Sequence, residues 1–322
     1  MKAHVLSAGA PELREVDRPI PEAEGVLVRV RACALNRADL AMASGVKHGT
    51  AGGEGQVLGL EWSGEVVEVG AAVSSFAPGD RVMGSGAGAF AEFALSDYGR
   101  ILRMPDGASF EKAACLPVAL QTMHDAVVTH GHLGAEQAIL INGASSGVGL
   151  MGLQIAKLKG AALVIGTSTN AERRGRLRKF GADLALDTRD PNWVNDVRKA
   201  TGGEGVDVVV DQITGALTTQ TMHVTRILGR IVNVGRLGGN QADFDFDTHA
   251  RRRITLVGVT FRTRSKAEVR EINRRMMADI GSAIMAGDLT LPISTIYDFD
   301  QLGRALEHMR ANQHFGKVVL RL

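Results

Sequence analysis

Hydrophobic and polar residues alternate in short stretches through the first third of the chain. Between residues 26 and 32, valine and alanine alternate with Arg29 and Arg31, as is typical of a half-buried strand. Glycine then recurs every few residues from Gly45 to Gly88, and this spacing favours short strands joined by tight turns. The pattern predicts a β-rich domain at the start of the chain.

The pattern changes at about residue 116. An apolar strand is predicted at 138–141, followed by a glycine-serine turn and a helix on which Val148, Met151, Ile155 and Leu158 recur at spacings of three and four. Further strands are predicted at 162–166, 184–186, 206–210, 230–234 and 254–259, with helices at 171–180 and 193–200. Strands alternating with helices predict a parallel sheet covered on both faces, the doubly wound α/β (Rossmann) arrangement.

The last sixty residues return to a mixed pattern. It predicts a polar helix at 266–286, a strand at 293–297, a helix at 299–309 and a final strand at 317–320. We therefore expect an α/β dinucleotide-binding domain at 119–262, inserted into a β-rich catalytic domain formed by 1–118 and 263–322.

Composition narrows the possible partners. The 322 residues include 37 Lys and Arg against 35 Asp and Glu, so the net charge is +2 and favours neither a nucleic-acid nor a membrane partner. The basic run at 251–253 follows three aspartates that could pair with it. Only two cysteines occur, too few for a disulfide framework, so we expect a reducing, cytoplasmic setting. The uncharged stretch 138–156 is interrupted by glycine and serine, and we do not expect it to span a membrane.

The glycine-serine turn is the main candidate for cofactor binding. It lies between a strand and a helix, where backbone N–H groups and the helix N-terminus can hold a pyrophosphate. The alternative is a purely structural turn, but the strand-turn-helix context favours a dinucleotide site. Its candidate residues are Ala144, Ser145, Ser146, Gly147, Val148 and Gly149.

The residues after the next predicted strand indicate which dinucleotide is bound. Proteins that bind NAD place an acid there against the ribose 2′-hydroxyl, whereas this chain has Ser168 and Thr169, with Arg173 and Arg174 shortly after. Hydroxyls and a guanidinium can hold a 2′-phosphate. The sequence therefore predicts NADPH, with Ser168, Thr169 and Arg173 as contacts; the alternative is that both arginines are solvated helix charges.

Several motifs resemble the zinc-independent quinone oxidoreductases of the medium-chain dehydrogenase/reductase superfamily. The matching motifs are Asn36-Arg37-Ala38-Asp39, Gly59-Leu60-Glu61-Trp62-Ser63-Gly64, Pro78-Gly79-Asp80-Arg81-Val82, Leu116-Pro117 with Thr122, the turn at 142–149, and Gly316-Lys317-Val318-Val319-Leu320. The resemblance implies a GroES-like catalytic domain around the Rossmann domain, and a homodimer joined through the strand at 254–259. It also implies NADPH-dependent reduction of quinones or α,β-unsaturated carbonyls.

The resemblance also implies that the zinc site is absent. Positions that supply zinc ligands in the alcohol-dehydrogenase branch correspond here to Asn36, Arg37 and Leu60, and neither a leucine nor an arginine can ligate zinc. Without a Lewis acid, hydride transfer should favour acceptors that are already electron-poor. Two other functions stay open: a double-bond reductase dedicated to one metabolite, and a catalytically lapsed NADPH-binding sensor or scaffold.

The same resemblance suggests roles for individual residues. Asn36 would orient the nicotinamide and acceptor, unless it only forms a turn, and Thr122 would contact the nicotinamide. Relatives have a tyrosine donor that this chain lacks; His48 could replace it, unless its glycine-rich loop is a mobile lid with exposed charges. Lys317 would reach the cofactor, unless it is a solvated cation in a turn. The backbone contacts to the carboxamide would come from Val234, Gly235, Val259 and Phe261.

Overall fold

The computed structural model describes residues 1–322, and they divide into two units. Unit 1 comprises Met1–Val118 and Phe261–Leu322, and unit 2 comprises Ala119–Thr260. The second boundary therefore lies two residues before the one expected from the sequence. The fold class is confirmed: a doubly wound parallel sheet is inserted into a β-rich, GroES-like domain.

The strands are β1 (Lys2–Ser7), β2 (Ala10–Glu15), β3 (Gly25–Ala34), β4 (Glu61–Val69), β5 (Arg81–Ser85), β6 (Phe93–Asp97), β7 (Ile101–Arg103), β8 (Ala138–Asn142), β9 (Leu163–Thr167), β10 (Leu184–Leu186), β11 (Val206–Asp211), β12 (Thr225–Asn233), β13 (Thr255–Gly258), β14 (Ile293–Asp298) and β15 (Lys317–Arg321). The α-helices are α1 (Arg37–Ala43), α2 (Phe110–Ala114), α3 (Pro117–His124), α4 (Gly147–Leu158), α5 (Ala171–Arg176), α6 (Trp193–Ala200), α7 (Thr218–Val224), α8 (Phe246–Arg252), α9 (Lys266–Ala286) and α10 (Leu302–Arg310). None of these helices has the length and apolar character that a membrane span requires.

Unit 1 is built on a mostly antiparallel sheet in the order β14-β15-β3-β4-β5-β7, with β6 also paired to β3. The C-terminal strand β15 pairs antiparallel with β3, which places the end of the chain beside the segment that leads into α1. This pairing also brings Lys317 towards the start of α1. The apolar sides of these strands form a core that includes Trp62 and Phe90.

Unit 2 is a six-stranded parallel sheet in the order β10-β9-β8-β11-β12-β13. Every pairing is parallel, so the carboxyl ends of β8, β9 and β10 lie at one edge of the sheet. The uncharged stretch 138–156 forms β8, the turn and most of α4, as its change of period predicts.

Some predictions for unit 2 were incomplete. Helices α7 and α8 were missed, because their threonine-rich and charged sequences show little apolar periodicity. Strand β12 begins at Thr225, five residues before the prediction. Leu158 lies at the end of α4 and is 47% exposed, so it does not share the buried face of Met151 and Ile155.

Candidate active site

The glycine-serine turn joins β8 to α4. Ser146 is the N-cap of α4, and its Oγ accepts a hydrogen bond of 2.9 Å from the N–H of Gly149. The first N–H groups of the helix, at Gly147 and Val148, have no acceptor within the helix because they precede its first turn. These donors and the positive end of the helix dipole can bind a pyrophosphate.

Close packing inside the turn explains the glycine at position 149. A Cβ atom there would lie 2.6 Å from Cα of Ala144 and 2.7 Å from the carbonyl oxygen of Gly143, both backbone atoms. Only glycine therefore allows the start of α4 to lie this close to the end of β8. The turn has the shape of a dinucleotide cradle, although Ala144 and Ser146 occupy positions where the fingerprint has glycine.

The carboxyl ends of β9 and β10 bring together charges that the sequence separates. Ser168 is buried, and its Oγ donates to Oγ of Ser145 over 3.0 Å. Arg174 donates to the Ser168 carbonyl (2.9 Å) and to the Asp187 carboxylate (3.0 Å). Arg189 also binds Asp187 (2.8 Å) and donates to the carbonyl of Thr169.

This arrangement changes two details of the 2′-phosphate prediction. An acid is present after all, because β10 delivers Asp187 to the edge where the 2′ position is expected. Arg189 holds the pKa of that acid down at about 2. The basic groups on the Ser168 and Thr169 carbonyls are Arg174 and Arg189, while Arg173 is half-buried in the first turn of α5. The pairing of β9 with β10 was the signal that could have identified Asp187 and Arg189.

A buried polar network lies in unit 1 where α1 begins. Oδ1 of Asn36 accepts from Nζ of Lys317 (2.9 Å), and Nδ2 of Asn36 donates to Oε1 of Glu61 (2.8 Å). Lys317 also forms an ion pair with Glu61, whose Oε2 accepts from the N–H of Val118 (3.0 Å). Lys317 is 3% exposed and Glu61 is fully buried. Lys317 is therefore not a solvated cation in a turn, and sequence analysis missed Glu61 as its partner.

Asp39 lies beside this network on α1. Its Oδ2 accepts from the N–H of Asn36 (2.6 Å), so it caps the helix in the structural role expected for this position. Its Oδ1 is buried without a hydrogen-bond partner. Burial raises the pKa of Asp39 to about 7, although the nearby Lys317 lowers it.

The glycine-rich loop that contains His48 is held at its tip. Nδ1 of His48 accepts from Nε of Arg262 (3.2 Å), and the backbones of His48 and Ala51 form a bridge. A Cβ at Gly49 would lie 2.5 Å from the carbonyl oxygen of Arg262. Burial and the Arg262 charge lower the pKa of His48, so its ring is neutral at pH 7 with the hydrogen on Nε2.

Comparison with known proteins gives the family. The model of the alcohol dehydrogenase GroES-like domain matches residues 22–106, and that of the zinc-binding dehydrogenase matches residues 147–278. A quinone oxidoreductase from Sus scrofa is 27% identical over 325 residues, covering 99% of this chain and 96% of that protein. The structure of a mycobacterial quinone oxidoreductase is 26% identical with a TM-score of 0.87, and both chains are covered completely. The chain belongs to the medium-chain dehydrogenase/reductase superfamily.

Within this superfamily the chain is quinone oxidoreductase-like, and it is an oxidoreductase that binds a nicotinamide cofactor. It also matches much longer proteins. Erythronolide synthase EryA2 from Saccharopolyspora erythraea is 33% identical over 317 residues, or 95% of this chain. The chain spans 8% of the length of that synthase, and 15% and 14% of the next two synthases that it matches.

The expected ligand positions of this dehydrogenase/reductase lie in the network described above. Asn36 and Glu61 are hydrogen-bonded to Lys317 or to each other, and Leu60 is apolar. Nowhere in the chain do three or more His, Cys, Asp or Glu side chains form a group able to hold a metal ion. Cys33 and Cys115 are buried thiols, and burial raises the pKa of both, that of Cys115 to about 12.

The other residues suggested by the resemblance lie in separate places. Thr122 is half-buried on α3. The N–H groups of Val234 and Gly235 both donate to the carbonyl of Asp211, and that of Val259 donates to Asn233. These three residues could therefore contact a carboxamide only through other backbone atoms. Phe261 begins the second segment of unit 1.

The basic run at 251–253 has local partners in unit 2. Arg251 forms an ion pair with Asp247 (2.8 Å), one helical turn earlier on α8, and Arg252 donates to the carbonyl of Thr225 (2.7 Å). Asp245 caps the same helix through Thr248. Two of the three upstream aspartates thus interact with this segment.

Proposed function

We propose that this protein transfers a hydride from NADPH to a quinone or an α,β-unsaturated carbonyl compound, without zinc. The buried network of Asn36, Glu61 and Lys317 is the observation that carries this proposal. A metal ion needs free lone pairs from thiolate, imidazole or carboxylate groups. Here both Glu61 oxygens already accept hydrogen bonds, and the Lys317 ammonium occupies the positive position beside them.

Hydride delivery to an electron-poor double bond suits such a site. When bound, the reduced nicotinamide supplies the hydride. Negative charge then develops on the carbonyl or quinone oxygen, and a fixed N–H donor such as that of Asn36 can stabilise it. Water supplies the proton that completes the reduction. Thr122 would position the nicotinamide, as the family resemblance implies.

The choice of NADPH rests on the edge formed by β9 and β10. A 2′-phosphate carries negative charge, and Arg174 and Arg189 offer planar guanidinium donors at the carbonyls of Ser168 and Thr169. Asp187 is paired with both arginines. The phosphate would therefore take over donors that the carboxylate holds in the free protein.

A second function, a double-bond reductase that serves one dedicated metabolite, has support from the comparisons. The matches to erythronolide synthase and to mycocerosic acid synthase-like polyketide synthases favour it, because they cover 95% and 96% of this chain. On that reading the substrate would be an enone of a biosynthetic intermediate, and quinone turnover would be incidental.

Oxidation of NADPH with a panel of quinones, enones and simple aldehydes tests these functions. We expect turnover of quinones or enones with NADPH preferred over NADH, and little turnover of aldehydes. Activity with only one narrow class of enones would favour the dedicated reductase. Tight NADPH binding without turnover of any acceptor would contradict both and favour the sensor or scaffold.

We also propose a cytoplasmic homodimer joined through β13. This strand forms one edge of the unit 2 sheet, and Leu256 on it is 50% exposed, while Leu237 and Phe246 in the same unit are 53% and 75% exposed. An unpaired edge with exposed apolar residues favours pairing with a second copy. Sedimentation should show a dimer, and a monomer at micromolar concentration would contradict the proposal.

A further inference from the structure

The buried network around Asn36 leaves one donor of this side chain unused. We propose that Glu61 and Lys317 are positioning residues, which fix the Asn36 amide so that its remaining N–H is held ready for the oxygen of the hydride acceptor. This inference rests on the proposed function, and it assigns to Glu61 and Lys317 a role in the reaction besides their contribution to folding.

The chemistry of the two neighbours determines which way the amide points. An ammonium group can only donate, so the Asn36 atom 2.9 Å from Lys317 must be the oxygen. An ionised carboxylate can only accept, so the atom 2.8 Å from Glu61 must be the nitrogen. Rotating the amide by 180° would place NH2 against NH3⁺ and C=O against COO⁻, and both hydrogen bonds would be lost.

Counting hydrogens identifies the unused donor. The amide nitrogen of Asn36 carries two hydrogens, and one is directed to Oε1 of Glu61. The structure gives this nitrogen no second acceptor, and the side chain is 9% exposed rather than fully enclosed. A single N–H of fixed direction is thus available to a bound molecule.

The partners of Asn36 are themselves held in place. Glu61 is fixed at both oxygens, because Oε2 accepts from the N–H of Val118 at the start of α3. Lys317 lies at the beginning of β15, whose pairing with β3 fixes its backbone. A buried charge pair contributes less to stability than well-packed apolar residues often do, but it can specify one geometry. Here that geometry is the orientation of the Asn36 amide.

A double-mutant cycle separates positioning from a purely structural role. Asn36→Leu removes the donor, and we expect kcat to fall by about 10²–10³-fold, the usual loss for one oriented oxyanion donor. Lys317→Met should lower kcat by a similar factor while the Kd for NADPH changes little. The double variant should be no slower than Asn36→Leu alone, because the lysine acts through the amide.

Further variants serve as controls. Lys112→Met makes the same change at an exposed lysine and should leave kcat unchanged. Lys317→Arg retains a cationic donor and should recover most of the activity. If the losses of Asn36→Leu and Lys317→Met multiply, or if Lys317→Met leaves kcat unchanged, the positioning role is wrong.

A second measurement is independent of turnover and keeps the positioning role testable if Lys317→Met folds poorly. The side-chain amide of Asn36 should give two distinct, slowly exchanging hydrogen resonances in the wild type and in Lys317→Arg, and should lose this order in Glu61→Gln. Retention of the order in Glu61→Gln would overturn the inference. A wild-type protein with an ordered amide but no turnover of any acceptor would instead contradict the proposed function.

Discussion

Replacing Arg174 with glutamine tests the proposed 2′-phosphate site most sharply. Arg174 donates to the Ser168 carbonyl and to Asp187, and its side chain is 25% exposed. Arg174→Gln keeps an uncharged polar group on α5 and removes the guanidinium. Only a cofactor that carries the 2′-phosphate should lose an interaction.

The expected loss follows from the contacts. A hydrogen bond to a charged group contributes about 1.5–3 kcal/mol. Arg174 must give up at least part of its ion pair with Asp187 to bind phosphate, and a partly exposed pair contributes about 0–1 kcal/mol. The net loss is therefore about 1–2 kcal/mol, which corresponds to roughly a 5–30-fold fall in kcat/KM for NADPH. The value for NADH should stay within about 3-fold, because NADH has no phosphate at this position.

The assay is the initial rate of cofactor oxidation with one accepted quinone or enone, measured over a range of NADPH and NADH concentrations. Arg178→Gln is the matched control, because Arg178 is exposed just beyond the same helix and has no side-chain contact to the Ser168 segment. An equal fall with both cofactors would mean that Arg174 only supports the backbone at Ser168. An unchanged NADPH value would place the phosphate elsewhere.

Three further predictions concern single residues. Gly149→Ala should abolish NADPH binding and lower the free energy of unfolding by about 1–3 kcal/mol, because its Cβ would lie 2.6 Å from the Ala144 backbone; Gly175→Ala, which meets open space, should stabilise the protein by up to about 1 kcal/mol, and binding titrations with urea unfolding will show whether the two differ. Asp39→Asn should flatten the pH dependence of stability: the folded protein keeps a proton on Asp39 until about pH 7, whereas the unfolded chain loses it near 3.8, so wild-type stability should fall between these values by up to about 1.4 kcal/mol per pH unit. Equal slopes for wild type and Asp39→Asn in urea unfolding would contradict the raised pKa. Asp187→Asn should lower KM for NADPH, since it removes the anion that competes for two arginines, and a higher KM in steady-state kinetics would mean that Asp187 instead prepares the site.

The parallel sheet could be predicted because its signals are local. Apolar strands such as β8, the glycine turn and the amphipathic α4 follow one another within twenty residues. Helices α7 and α8 could not be predicted in this way, because their sequences TTQTMHV and FDTHARR show little apolar periodicity. Their helical state depends on packing within unit 2 rather than on their own pattern.

The site divides along the same line. The turn at 142–149 is contiguous, so its role could be inferred from the sequence. The charges at the 2′ position come from two strands, and Asp187 lies 19 residues beyond Ser168, so the relevant neighbour becomes visible only once β9 and β10 are paired. Similarly, Lys317 and Glu61 are 256 residues apart, and a lysine after glycine looks like a solvated turn residue until β15 is placed beside β3.

The most direct test of the central claim measures metal content and activity on the same sample. The purified protein would be dialysed against a strong chelator, analysed for zinc and assayed with NADPH and an accepted quinone or enone, before and after zinc is added back. The account predicts far less than one zinc per chain and full activity that added zinc does not raise. Loss of activity on chelation, with recovery on addition of one equivalent of zinc, would contradict it.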